Sequence, residues 1–177
     1  IEELKDKIEK LEILLPKIEA RYGYRVDSVD MKNNLQREAD SVYEVLEKAI
    51  PEEWEDFKPV SKAEITNIIN AIRPYADEEL IMIARNNEGE PIGFTLALPD
   101  YNEILKDFKG KLGVMEGIKF LRNRKSIKRI RVFVLFVVPE YRDKGVTSAM
   151  YFKTFKNAAK KGYKYLEGST IWDYNTK

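Results

Sequence analysis

The stretch that decides the fold is Arg131–Tyr151, which reads RVFVLFVVPEYRDKGVTSAMY. It begins with an apolar run typical of a β-strand, passes through a polar turn after Pro139 that contains Gly145, and ends in a helical pattern. The first backbone N–H groups of an α-helix have no partner within the helix, and the helix dipole attracts negative charge to that end. The sequence therefore predicts a strand–turn–helix unit with an anion site at the helix N-terminus.

Composition excludes several classes of function. The 177 residues, 44% of them hydrophobic, suit one domain, and the 31 basic and 30 acidic residues almost cancel, which argues against nucleic-acid binding through overall charge. With no cysteine and no histidine there is no disulfide framework, no Ser-His-Asp triad and no usual zinc site, so we predict no metal site. No apolar run approaches the roughly 20 residues of a membrane span and no signal peptide is visible. We expect a cytoplasmic protein without a membrane partner.

Hydrophobic periodicity predicts a mixed α/β (α+β) fold. A linker helix over residues 1–22 precedes a domain over 23–177 with the order β, α, α, β, β, long loop, β, α, β. The predicted strands cover 24–29, 79–85, 91–98, 129–138 and 163–171, and the predicted helices cover 33–49, 62–75 and 145–161. Residues 86–90 form a hairpin turn, and Ser61 with Glu64 forms a capping box. Only the last strand–helix–strand unit needs parallel pairing, so the sheet is mostly antiparallel and flanked by helices.

The turn also contains an R-x-x-G motif, formed by Arg142 and Gly145. With this motif and this element order, residues 24–177 resemble the GCN5-related N-acetyltransferase (GNAT) superfamily, in which R-x-x-G is the core of the coenzyme A pyrophosphate loop. More narrowly, the chain resembles the carboxyl-terminal GNAT-like domain of bacterial YghO-like proteins. The segments that carry this likeness are EPIGF at 90–94, ALPDYN at 97–102, VPEYR at 138–142 and WDYN at 172–175.

The resemblance implies an acyl-CoA cosubstrate, with acetyl-CoA as the first candidate, and a small-molecule or peptidyl amine as acceptor. It implies that the pantetheine arm pairs with the backbone of Phe136, Val137 and Val138, and that Asn175 reaches the pantetheine or the adenine. The pyrophosphate would be held by the turn and the first residues of the helix, namely Arg142, Asp143, Lys144, Gly145, Val146 and Thr147. The family usually has Gly or Ala at the position of Thr147, and glycine is common at that of Asp143.

The resemblance also directs the search for catalytic residues. In GNAT enzymes a strand N–H serves the thioester carbonyl, here near Phe136–Val137, and a tyrosine on the helix after the fifth strand usually protonates the thiolate. Both ends of this sequence look cut: we expect a preceding domain, and the last helix and strands of the fold are missing. Asp100 and Glu167 are the candidates for the general base, with a solvated or paired carboxylate as the alternative for each. Tyr101 and Asn102 are candidates for the acceptor end of the cleft, and a loop-capping role for Asn102 is an equal alternative.

A basic run, KFLRNRKSIKRIR at 119–131, has seven cationic residues in thirteen. It is consistent with recognition of coenzyme phosphate or an acidic acceptor, with a nucleic-acid or membrane surface, or with a solvated helix face. The chain as a whole allows two functions. One is an acyl-CoA-dependent N-acyltransferase. The other is a degenerate GNAT module that binds coenzyme A or nothing and has a structural or regulatory role.

Overall fold

The computed structural model describes residues 5–50, 60–106 and 114–168. These ranges contain five strands and six α-helices. The strands are β1 (Tyr24–Ser28), β2 (Ile81–Asn86), β3 (Pro91–Pro99), β4 (Arg129–Val137) and β5 (Tyr165–Gly168). The helices are α1 (Lys5–Tyr22), α2 (Leu35–Ala49), α3 (Lys62–Ile72), α4 (Asn102–Leu105), α5 (Val114–Asn123) and α6 (Val146–Lys160).

One sheet holds the five strands in the order β1-β2-β3-β4-β5. The first four pair antiparallel with their neighbours, and β5 pairs parallel to β4 after the α6 crossover. The mixed, mostly antiparallel sheet is therefore confirmed, and so is the β2–β3 hairpin. Its turn is closed by the Asn86 N–H, which donates to the Glu90 carbonyl at 3.0 Å.

The end of one helix and the start of one strand differ from the sequence prediction, for reasons visible in the backbone. We predicted that the helix after Ser61 reaches Tyr75, but α3 ends at Ile72, shortly before Pro74, which has no N–H to continue the ladder. We predicted a final strand from Tyr163, but β5 begins at Tyr165. The Tyr163 N–H donates instead to Ala158 O, and Gly162 has a φ of +84°, which together form a Schellman cap on α6.

The predicted capping box is confirmed. The Ser61 hydroxyl accepts from the Glu64 N–H, and the Glu64 carboxylate accepts from the Ser61 N–H at 2.8 Å. The predicted long loop before β4 contains two short helices, α4 and α5, within its described residues. The last residues of the predicted fifth strand, 169–171, lie outside the described residues.

Helices flank the sheet and bury its centre. Helix α6 packs against β1–β4, while α2 packs against β3 and β4. Fully buried side chains such as Val26, Met82 and Ile83 form the main core, and Leu80, Ile130 and Ala158 belong to a second cluster at one end of the sheet. No helix within the described ranges has the length and hydropathy needed to cross a membrane.

A buried charge pair joins α2 to the sheet. The Glu38 carboxylate, whose side chain is 3% exposed, accepts from Arg85 of β2 at 2.8 Å, and Arg85 also donates to the Ser41 hydroxyl. A buried ion pair of this kind is strongly destabilising when one partner is removed, because the other is left charged and desolvated. The pair fixes the position of α2 relative to β2.

Candidate functional site

The turn between β4 and α6 is a series of tight hydrogen-bonded steps. Pro139 starts a 3₁₀ turn over Pro139–Tyr141, and the Tyr141 N–H donates to Val138 O at 3.0 Å. The Lys144 N–H donates to Tyr141 O at 3.2 Å, and Gly145 then takes a φ of +77°. An L-residue rarely adopts that left-handed conformation, so glycine is what allows the chain to enter α6 at this angle.

The start of α6 presents backbone donors that have no acceptor in the described part of the chain. The first hydrogen bond of the helix runs from the Ala149 N–H to Gly145 O at 3.0 Å. Among the described residues no acceptor is found for the N–H groups of the preceding four residues, Gly145, Val146, Thr147 and Ser148. Gly145 has no side chain to cap them. These donors and the dipole of a 15-residue helix are the features that favour an anion at this end of α6, which stays a prediction of the sequence.

Side chains of α1 and β1 pack against the turn. The Tyr24 hydroxyl donates to Lys144 O at 3.0 Å, and its ring meets the Tyr141 ring edge-on at 6.5 Å. Burial, helped by the charge of Glu19, raises the pKa of Tyr24 to about 12. The hydroxyl therefore stays protonated and remains a donor at physiological pH. A β-carbon at Gly145 would lie 3.1 Å from a methyl group of Ile18, so the helix also limits the space at this position.

Arg142 braces the turn from within. Its Nε donates to Val137 O at 3.2 Å, and a terminal nitrogen donates to Ala49 O at 2.8 Å. Ala49 is the last residue of α2, so the guanidinium satisfies a carbonyl at the negative end of that helix. The family resemblance assigned Arg142 to the coenzyme. The structure gives its side chain a positioning role, in which it ties the end of β4 to the end of α2.

The other residues of the turn that were predicted to bind coenzyme differ in how exposed their side chains are. Val146 is fully buried, so only its backbone faces the anion site. The Asp143 side chain is exposed, and Thr147 is half-buried. The Lys144 ammonium lies over the Tyr141 ring, 4.3 Å from its centroid. Asn175, the remaining predicted coenzyme residue, lies outside the described residues.

The register of β4 corrects the predicted pantetheine-binding edge. The Val138 N–H donates to Ile92 O at 2.9 Å, and Phe136 O lies on the β3 side, close to Gly93. Backbone polar groups alternate sides along a strand, so Val137 and Leu135 point the other way, toward the β5 side. Of the three predicted residues only Val137 therefore faces this edge, and its carbonyl already accepts from Arg142. Leu135 lies on the same side of β4 as Val137 and was not among the predicted residues.

A bulge in β4 separates this edge from the paired part of the strand. Leu96 of β3 pairs with Val134, but the next residue, Ala97, pairs with Val132, so Phe133 is an extra residue. The described pairing of β4 with β5 ends at Val132, directly before the bulge. A bulge bends its strand and increases the local twist. The geometry places a change of strand direction between the β5-paired half of β4 and the half that leads to the turn.

The predicted acceptor residues gather at the opposite end of β4. The Asp100 N–H donates to Arg129 O at 2.9 Å, at the first residue of β4, whereas the turn follows its last residue. At about 3.3 Å per residue these ends are separated by about 26 Å. Asp100 is buried, and one of its carboxylate oxygens accepts from the Asn102 N–H at 3.2 Å. The Tyr101 hydroxyl donates to Tyr75 O at 2.5 Å, and burial, the largest influence, raises the pKa of Tyr101.

Glu167 lies on β5, opposite Arg131. Its two carboxylate oxygens accept from Arg129 and from Arg131, each at 2.9 Å. Glu167 thus lies beside Gly168, which forms the last described pair of β4 with β5, and the two arginines engage both of the oxygens that a general base would use.

Comparison with known proteins identifies the family. Residues 39–176 match the model of the acetyltransferase (GNAT) family. The chain belongs to the acetyltransferase (GNAT) family. A GCN5-related N-acetyltransferase from Sphaerobacter thermophilus has a similar fold, with a TM-score of 0.57 and 15% identity, over 88% of this chain and 38% of that one. A diaminobutyrate acetyltransferase from Paenibacillus lautus, solved with its substrate and coenzyme A, gives a TM-score of 0.50 and 15% identity over 84% of this chain and 66% of that one.

A curated relative extends the comparison. The bacterial ceramide synthase of Caulobacter vibrioides is 26% identical over 121 residues, which are 67% of this chain and 31% of that protein. The chain thus spans less than a third of this relative. Within the GNAT fold, the strand–turn–helix unit predicted from Arg131–Tyr151 is the part of the sequence analysis that the described structure reproduces most fully.

Proposed function

We propose that this GNAT domain is an acyl-CoA-dependent N-acyltransferase that acts on an amine, with acetyl-CoA as the first candidate donor. The observation that carries the proposal is the row of four N–H groups without a described acceptor at the start of α6, which follows the half of β4 that lies beyond its described pairing with β5. A pyrophosphate presents several anionic oxygens, which suits convergent backbone donors at a helix N-terminus.

The fit depends on a backbone that can approach a phosphate closely. Gly145 suits this requirement because it has no side chain at the entry to α6, where a β-carbon would lie 3.1 Å from Ile18. The exposed Asp143 side chain has room to turn toward solvent, so its carboxylate does not occupy the place of the anion. Lys144 places a cation in the same turn. Both observations support coenzyme binding despite the departures at Asp143 and Thr147.

Besides the turn, the chain would contribute a strand edge and a proton acceptor to the proposed acyl transfer. A bound acyl-CoA supplies an activated acyl thioester. The N–H groups of Val137 and Leu135 face the side on which an extended pantetheine arm would add like a strand. The bend at Phe133 would end that pairing near Glu167. We keep Glu167 as the candidate that accepts the amine's proton, with its position fixed by two arginines. Asp100 is the second candidate.

The curated relative suggests a class of acceptor. A ceramide is the amide of a fatty acid with a long-chain amino alcohol, and the matched region covers two thirds of this chain. We therefore include a long-chain amino alcohol among the candidate acceptors, beside small polar amines and peptidyl amines. The assignment to YghO-like proteins, with a preceding domain and a bacterial cytoplasmic setting, belongs to the same proposal.

The degenerate alternative is favoured by one observation, the engagement of both candidate carboxylates. Asp100 accepts from a backbone N–H, and Glu167 accepts from two arginines. In this alternative the domain binds coenzyme A or nothing, transfers no acyl group and has a structural or regulatory role.

The test is a binding titration followed by a transfer assay. Calorimetry with acetyl-CoA and with a long-chain acyl-CoA measures binding. Release of the coenzyme thiol with each amine is then followed with a thiol-reactive dye, and the chain itself gives no signal because it has no cysteine. We expect saturable binding and amine-dependent thiol release. Binding without release with any amine would leave the degenerate alternative, and no binding at millimolar coenzyme would overturn the enzyme proposal and leave only a module that binds no coenzyme.

A further inference from the structure

A cavity of about 660 Å³ lies at the end of the sheet remote from the β4–α6 turn. It is bounded by the loop before β2, by the segment between α5 and β4, and by the residues that follow α6. Its volume falls within the range of small-molecule sites. Helix α6 runs between the two regions: the turn precedes its first residue, and the cavity lies beside Lys161 and Tyr163, just after its last. The first and last residues of this 15-residue helix are about 21 Å apart at a rise of about 1.5 Å per residue.

The charge of the lining is unbalanced. Five cationic residues face three carboxylates. Two of the carboxylates, Asp77 and Glu79, are both bound to Lys161, at 2.9 and 3.1 Å. Burial disfavours the charged lysine, but the hydrogen bonds from these two carboxylates outweigh it and raise the pKa of Lys161. Glu78 is then the one carboxylate of the lining outside this group. It faces four exposed cations, which are Lys32, Arg124, Lys125 and Lys128.

Those four cations have no ion-pair partner among the residues that the structure describes. Three of them, Arg124, Lys125 and Lys128, come from the basic run at 119–131, which the site in the β4–α6 turn does not use. The run enters the cavity at the 3₁₀ turn Arg124–Ser126. Like charges that converge on a cavity attract an anion, and an anion gains more there than on an open surface because the protein walls exclude part of the solvent.

A neutral donor completes the lining. Tyr163 is half-buried, and its hydroxyl has no hydrogen-bond partner among the described residues, whereas the Tyr101 hydroxyl is already used by Tyr75 O. Burial and, to a smaller extent, the charge of Asp77 raise the pKa of Tyr163. The hydroxyl therefore keeps its proton at neutral pH and is available to an anionic oxygen.

We infer that this cavity is a second ligand site, separate from the β4–α6 turn, that binds a phosphate group through Arg124, Lys125, Lys128 and the Tyr163 hydroxyl. The phosphate could belong to a soluble phosphorylated molecule or to a lipid headgroup. A soluble phosphomonoester and phosphatidic acid present the same terminal phosphate to the same cations. The inference stands whether or not the turn binds coenzyme A.

The experiment is a titration of the ¹⁵N-labelled chain with inorganic pyrophosphate, followed by NMR. We expect saturable shifts of the Arg124–Lys128 and Tyr163 amides. The variant pair Arg124→Glu with Lys128→Glu should weaken the response at these amides at least tenfold, and should leave any response of Gly145–Ser148 in place. The matched control is Lys119→Glu with Arg122→Glu, which makes the same charge change in the same basic run but outside the cavity. The control should retain binding.

Sedimentation with vesicles of phosphatidylcholine, with and without phosphatidic acid, distinguishes the two sources. Retention on the acidic vesicles that the cavity pair abolishes and the control pair preserves identifies a headgroup. Pyrophosphate binding without retention identifies a soluble ligand. The neutral pair Arg124→Gln with Lys128→Gln repeats the test if charge reversal disturbs folding. The inference is overturned if the cavity amides do not respond, or if cavity and control pairs weaken binding equally.

Discussion

Replacement of Gly145 by alanine tests the anion site at its most constrained residue. Gly145 has a φ of +77°, and an added β-carbon would lie 3.1 Å from Cγ2 of Ile18 and 3.6 Å from the Tyr24 hydroxyl. The left-handed conformation costs an L-residue about 1–2 kcal/mol. The close contact with Ile18 costs a further ~1 kcal/mol or less, at the low end of overpacking effects. We therefore expect Gly145→Ala to lower the free energy of unfolding by about 1–3 kcal/mol.

Gly162→Ala is the matched control. Gly162 follows the other end of α6, has a similar φ of +84°, and has no atom within 4 Å of an added β-carbon. Its alanine variant should show only the backbone cost, about 1–2 kcal/mol. The difference between the two variants measures the contact at Ile18. When Gly145→Ala is made in an Ile18→Ala background, its cost relative to that background should fall to the cost of Gly162→Ala.

Urea denaturation followed by circular dichroism measures the stabilities, and calorimetry with acetyl-CoA measures the function. We expect Gly145→Ala to weaken coenzyme binding at least tenfold, because the shifted turn moves the free N–H groups, and Gly162→Ala to leave binding unchanged. Equal stability losses in the two variants, together with equal coenzyme binding, would refute the proposed packing of the turn.

Three further predictions follow from other contacts. Because the pKa of Tyr24 is near 10 in the unfolded chain and about 12 in the folded one, the unfolded chain loses this proton first and stability falls as pH rises from about 10 to 12. Tyr24→Phe should lose about 1–2 kcal/mol less than the wild type over this range in urea titrations; parallel pH curves would contradict this. Glu38→Ala should cost about 3–5 kcal/mol by leaving Arg85 buried and unpaired, and Glu38→Leu combined with Arg85→Met should cost less; an equal or larger cost for the double variant in the same denaturation assay would contradict the argument. Arg142→Lys cannot reproduce a forked pair of hydrogen bonds, so it should lower stability by about 1 kcal/mol and weaken coenzyme binding; unchanged thermal stability would show that the brace contributes nothing.

Local signals in the sequence predicted the features that depend on neighbouring residues. The hairpin at 86–90, the capping box at Ser61 and the strand–turn–helix unit around Gly145 all lie within short windows, and the structure contains each of them. The element order then limits the topology, because short connections favour antiparallel neighbours and the α6 crossover requires a parallel pair.

The features that the sequence did not predict depend on residues far apart in the chain. Arg142 reaches a carbonyl of Ala49, and no local pattern relates these positions. The bulge at Phe133 has no glycine or proline to mark it and becomes visible only from the β3–β4 register. The same register shows that the backbone polar groups of Leu135 face away from β3, whereas those of Phe136 face β3. The cavity likewise draws three cations of one basic run together with Tyr163, which comes from a different segment.

The central claim is that the free N–H groups at the start of α6 bind the phosphates of coenzyme A. The most direct measurement is a titration of the ¹⁵N-labelled chain with coenzyme A, followed through the amides of Gly145, Val146, Thr147 and Ser148. We predict saturable shifts at these four amides and at Val137, which Gly145→Ala abolishes and Gly162→Ala preserves. Shifts confined to Arg124–Lys128 and Tyr163, or no shifts at millimolar coenzyme, would contradict the claim.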